Sequence, residues 1–141
     1  MGARRKGRII AFQSLYRHDL SGAGIEELMD FSWLDEDKKS KIPEEAAVFA
    51  RLLIQGTIEK KAEVDEAIRN QLENWDFSRI GRVDLAILRV SAYCLLHQPD
   101  IPPKVTIDEA IDIAKDYGSD DSYRFVNGVL DGLRKKTEKA P

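Results

Sequence analysis

Residues 104–133 read KVTIDEAIDIAKDYGSDDSYRFVNGVLDGL, and their spacing predicts two helices folded about one glycine. Thr106 followed by Glu109 has the form of a capping box, in which the hydroxyl accepts from a first-turn N–H while the carboxylate reaches back. Ile107, Ala110, Ile111 and Ala114 then recur at helical spacing as one apolar stripe. Tyr117 and Gly118 close this helix, because glycine takes the left-handed conformation beyond a helix end without a Cβ penalty. Ser119 or Asp120 starts the next helix, whose core face is Ser122, Phe125, Val126, Val129, Leu130 and Leu133.

That second helix breaks a local rule. Asn127 and Gly128 sit in its middle, where glycine costs about 1 kcal/mol relative to alanine. One reading is that Gly128 lets a neighbouring helix approach while Asn127 faces solvent. The other is that Tyr123, Arg124 and Asn127, within one turn of each other near the helix start, suit phosphate and base recognition.

The N-terminus adds charge. Residues 1–8 hold Arg4, Arg5, Lys6 and Arg8 and no acid, whereas the remaining chain carries 18 basic against 25 acidic residues, a balance of −7. This asymmetry places a basic arm on an acidic body. The arm runs into a helical pattern with Ile9, Phe12, Tyr16 and Leu20 inward and Ile10 and Leu15 widening the stripe. Ser21, Gly22, Ala23 and Gly24 break it. A short helix follows with Ile25, Leu28, Met29 and Trp33 inward, and residues 35–41 read as a charged loop.

Pro43 is placed to start a third helix, with Val48, Phe49, Leu52, Leu53 and Ile54 as its buried face. Val64, Ala67, Ile68 and Leu72 continue it as a second helix or past a bend near Lys60. Residues 74–78 form a connector with aromatic anchors. From Val83 to Leu96 apolar residues lie nearly all round, which makes this helix central or leaves an outer face for a partner. Pro99, Pro102 and Pro103 end it, and the tail 134–141 is polar and frayed.

No β-branched alternation bounded by turns occurs. The expected fold is all-α: about seven helices in two small packed bundles, forming a single domain over residues 1–141. Hydrophobic residues at 43% and charged residues at 33% fit a soluble helical domain and argue against disorder. No apolar run approaches the ~20 residues of a membrane span, and no signal peptide is evident, so a cytoplasmic location is expected. Cys94 lies in an apolar pattern and reads as core. No phosphate loop, nucleophile elbow or metal-ligand spacing of His18 and His97 is present. Asp108, Asp112 and Asp116 read as a solvated face. The residues support binding, with no catalytic residue, metal or cofactor.

Two distant pieces, ARRKGRIIAFQSLYRHDL and IPPKVTIDEAIDIAKDYGSDDSYRFVNGVLD, together with GRVDLAILRVSAYCLL between them, resemble the N-utilisation substance protein B (NusB) family of transcription antitermination factors. The resemblance implies an all-helical RNA-binding factor that acts with ribosomal protein S10. The pair recognises single-stranded boxA RNA in nascent transcripts, joins the RNA polymerase antitermination complex and suppresses premature termination, notably on ribosomal RNA operons. It carries the RNA surface onto Arg4, Arg5, Lys6, Arg8, Gln13 and Tyr16, and onto Ser122, Tyr123, Arg124, Phe125 and Asn127. Asp121 matches an acidic position that tunes activity. The surface for ribosomal protein S10 falls on Arg82, Asp84, Leu85 and Leu88, and the apolar central helix would suit that partner or a homodimer. Four arm cations on a single strand would give a log–log salt slope of roughly −3. Two other readings compete: a helical protein-binding adaptor, and a relative of the helical domain that precedes the catalytic part of some RNA cytosine methyltransferases, although no methyl-donor-binding domain fits in this chain.

Overall fold

Residues 85–94 are buried without interruption, which only a helix walled on every side allows. The computed structural model describes residues 1–138, and eight α-helices account for most of them: α1 (Ala3–Ser21), α2 (Ile25–Met29), α3 (Glu36–Ser40), α4 (Glu44–Glu59), α5 (Lys61–Arg69), α6 (Arg82–His97), α7 (Pro103–Tyr117) and α8 (Ser122–Glu138). A single 3₁₀ turn, Phe77–Arg79, lies between α5 and α6. The described residues contain no strand. α6 is the axis, packed by α1, α4 and α5 from the first half of the chain and by α7 and α8 from the second. The two halves are therefore bundles sharing one helix.

Each boundary has a local cause. α1 ends at Gly22, whose φ of 72° is the left-handed cap that glycine supplies cheaply. Asp35 caps α3 by accepting from the Lys38 N–H at 2.8 Å, so the segment 35–41 is a short helix where its lack of apolar period suggests a loop. Lys60, at φ −104°, separates α4 from α5 and resolves the joint into two helices.

The capping box at Thr106 does not form. Pro102 and Pro103 start α7 a turn earlier. Thr106 is instead buried inside the helix with its hydroxyl unpartnered, and Glu109 faces α1. Gly118 ends α7 as expected but in extended backbone, φ −90° and ψ −170°. Its need is space, because a Cβ there would run into the Ser122 side chain and the Ala114 carbonyl. Residues 134–138 continue α8, tied by Arg134 to Asp131 at 2.8 Å and to Glu138 at 3.0 Å. The expectation of a frayed tail fails for them, and residues 139–141 lie outside the described ones.

Two expected core residues of α4 are on the outside: Val48 is 57% and Leu52 47% exposed. The inner stripe of α4 uses Ala46, Ala47 and Ala50 instead, so α1 and α4 lie close. Gly56 continues that economy, since any Cβ would collide with the Tyr93 ring of α6. A buried ion pair clamps the halves of the first bundle: Arg89, 5% exposed, donates to Asp65 through Nε at 2.8 Å and Nη2 at 3.0 Å.

Candidate nucleic-acid interface

The helical turn distributes the basic arm over three directions. Arg5 points to α7, where its guanidinium meets Glu109 at 2.6 Å and Asp112 at 2.7 Å. These bonds raise its pKa, the Glu109 contact foremost, and Asp112 is thus a partner of Arg5 as well as part of a wet face. Arg8 turns inward over the Phe49 ring, 5.1 Å from its centroid and 8% exposed. Burial lowers its pKa, and its guanidinium offers little to a phosphate. Arg4 sits outside on the same ring at 4.6 Å. Lys6 lines a groove of about 640 Å³ with Gln13, Tyr16, Arg17, Trp33 and Tyr117. Of the four arm cations, Arg5 has carboxylate partners and Arg8 is buried, which leaves Arg4 and Lys6 open among the described residues.

The groove is continuous with α7 and α6. Tyr117 packs edge-on against Phe12 with centroids 5.2 Å apart, and a smaller cleft of about 190 Å³ joins Gln13, Tyr16, Tyr117 and Val83. Beyond Tyr117 the chain turns into α8. Ser122 is 3% exposed, and its hydroxyl accepts from the Ser119 N–H at 2.9 Å. It positions the turn and shows no face to a ligand. The Asp121 carbonyl accepts from the N–H groups of Arg124 and Phe125, while its carboxylate is outside.

Tyr123, Arg124 and Asn127 then present themselves together. Arg124 Nε donates to the Tyr123 hydroxyl at 3.0 Å, a bond that raises its pKa and holds the two side chains side by side. Lys115 Nζ lies 5.1 Å from the Tyr123 ring centroid. Arg124 and Asn127 are exposed, Tyr123 half-buried. Phe125 is half-buried and lies against Trp75, centroids 5.9 Å apart and tilted by 42°.

At the start of α6, Arg82 donates to the Asp19 carboxylate at 3.3 Å and stays largely open, and Asp84 is half-buried. Leu85 is 7% exposed and Leu88 fully enclosed. Both serve the core, and the expectation that they face a protein partner meets no surface at Leu88. The all-round apolar pattern of α6 is used up by its own neighbours.

The sequence reading missed Tyr117, Lys115 and Trp75. Tyr117 looked like a helix end, and its role depends on α1 lying beside it. Trp75 carries a signal, a large aromatic in a polar connector, but in sequence it reads as an anchor. Among the described residues no three His, Cys, Asp or Glu side chains converge as for a metal ion, and no helix is long and apolar enough to cross a membrane.

The described residues thus form an all-helical scaffold with aromatic, amide and cationic groups on its surface, at Gln13, Tyr16 and Tyr117 and again at Tyr123, Arg124 and Asn127. Residues 5–135 match the NusB family. The transcription antitermination protein NusB of Treponema denticola is 48% identical over 134 residues, covering 95% of this chain and 97% of that relative. T. maritima NusB has a similar structure, with a TM-score of 0.82 and 39% identity over 94% of this chain and 91% of that one. A crystal structure of the antitermination factors NusB and NusE in complex with dsRNA matches with a TM-score of 0.84 and 28% identity, covering 95% of this chain and 97% of that one. The chain belongs to the NusB family.

Proposed function

We propose that this protein is a cytoplasmic transcription antitermination factor that acts by binding and without catalytic turnover. With ribosomal protein S10, the NusE of the related complex, it binds single-stranded boxA RNA in nascent ribosomal RNA transcripts. It thereby helps RNA polymerase resist premature termination. The observation that carries this reading is the strip that joins Gln13 and Tyr16 to Tyr117, with the outward Tyr123, Arg124 and Asn127 on the helix that follows.

Unpaired bases stack on Tyr16 and Tyr123, each stack contributing about 1–3 kcal/mol. Phosphates meet Arg4, Lys6 and Arg124, and Gln13 and Asn127 supply amide hydrogen bonds. Arg5, Arg8 and Ser122 hold those groups in place. Ribosomal protein S10 docks at the open start of α6, on Arg82 and Asp84, beside the same strip, and Asp121 modulates the joint surface. The acidic body discourages indiscriminate RNA binding.

Fluorescence anisotropy with labelled boxA RNA and a scrambled strand, each with and without ribosomal protein S10, tests the proposal. Preference for boxA that sharpens with ribosomal protein S10 is expected. Equal affinity for both strands under both conditions overturns it.

A further inference from the structure

Gly128 sits inside the continuous helix α8, and the fold gives it no packing reason. No atom lies within 4 Å of where its Cβ would stand, so the approach of a neighbouring helix does not explain it. The space above it belongs to a cleft of about 350 Å³ lined by Gln71, Glu73, Trp75, Arg124, Phe125 and Gly128. Trp75 reaches this cleft because Asn74 adopts φ 58°, a left-handed kink that asparagine tolerates better than most residues. The indole is held against Phe125, yet remains 52% exposed. Such a ring keeps its flat face available when its burial would otherwise be favoured.

We propose that this cleft is a nucleobase slot, in which one unpaired base of the bound strand stacks on Trp75 above the bare backbone at Gly128. The inference rests on the RNA-binding reading and extends its surface beyond Phe125. Three features favour a base over other occupants. The Trp75 and Phe125 rings offer flat π-surface, which every base matches. The exposed Arg124 at the rim can take the adjoining phosphate, and Tyr123 and Asn127 continue the surface on the same helix face. The Glu73 carboxylate, also in the lining, repels a phosphate entering the cleft, but accepts from the exocyclic amine of a base. Gly128 then has a function: any side chain there occupies the volume the base needs, and the helix tolerates one of its least favourable residues to keep the slot open.

The test uses the full chain with ribosomal protein S10 and boxA RNA, and three variants: Trp75→Ala, Gly128→Ala and Gly128→Leu. Trp75→Ala is expected to weaken RNA binding about 5- to 150-fold, the range of one lost stack. Gly128→Leu is expected to weaken it comparably by filling the slot. Gly128→Ala is expected to raise the melting temperature while weakening binding, a pairing of signs that a packing role for the glycine does not produce. In a Trp33→Phe background, where Trp75 is the sole indole, added boxA RNA should quench its emission. Wild-type affinity in Trp75→Ala and Gly128→Leu with unquenched emission overturns the slot. Variants that keep RNA affinity but lose ribosomal protein S10 also overturn it, assigning the cleft to a protein side chain. These failures differ from that of the parent reading, which shows as a wild-type chain unable to tell boxA from scrambled RNA.

Discussion

The start of α1 and the start of α8 both carry groups suited to RNA, and the fold treats them in opposite ways. On α1, Arg5 is taken by two carboxylates of α7 and Arg8 by the face of Phe49. On α8, the exposed Arg124 bonds to its neighbour Tyr123 and to no carboxylate among the described residues. The first region spends half of its charge on holding helices together; the second keeps its groups outward. A cation belongs to a ligand only when no nearer partner inside the molecule claims it, and helical periodicity decides that by aiming residues 4, 5, 6 and 8 differently.

The largest expected effect sets the scale for a cation wholly owned by the scaffold. Asp65→Ala leaves Arg89 buried without its bidentate partner and should destabilise the fold by about 3–5 kcal/mol in urea unfolding. Next, Tyr123→Ala should weaken boxA RNA binding by about 1–3 kcal/mol, read by anisotropy. Its melting temperature should fall far less than that of Asp65→Ala. The contrast within α1 is smaller. Arg5→Ala should cost about 1 kcal/mol of stability and leave the salt dependence of RNA binding unchanged, whereas Lys6→Ala should reduce the log–log salt slope by about 0.7. If Arg5→Ala shifts the slope as Lys6→Ala does, the division drawn between the two breaks. The arm then contributes a slope near −1.4 from Arg4 and Lys6, about half of what its four cations suggest.

The smallest effect is a local reporter. Burial pushes the Cys94 thiol up to about 12, opposed by the charge of Arg8 nearby. Folded protein should resist a thiol reagent at neutral pH and react on unfolding. Arg8→Met should leave the salt slope of RNA binding unchanged and make the thiol still less acidic, seen as slower alkylation at alkaline pH.

The helices were legible because apolar spacing, glycine breaks and prolines are local signals. α1, α4, α6, α7 and α8 follow from them, as does the all-α class. What failed needed neighbours. Thr106 and Glu109 match a capping box, but two preceding prolines start the helix first. Val48 and Leu52 fit a hydrophobic stripe, yet close packing against α1 favours the smaller Ala46, Ala47 and Ala50. Leu85 and Leu88 look like interface residues on a helix apolar all round, because the sequence does not count how many helices surround it. The site was half legible for the same reason. Tyr123, Arg124 and Asn127 are brought together by a single turn, whereas Tyr117 meets Gln13 and Tyr16 only because α7 lies beside α1.

The enclosure of α6 has a consequence for synthesis. Residues emerging from the ribosome before Arg82 can pair α1 with α4, but their inner faces stay wet until the sixteen-residue axis follows. A nascent chain paused short of that point presents bare apolar surface and invites chaperones or aggregation. Translation through residues 82–97, more than any earlier step, is where this molecule commits to its native form.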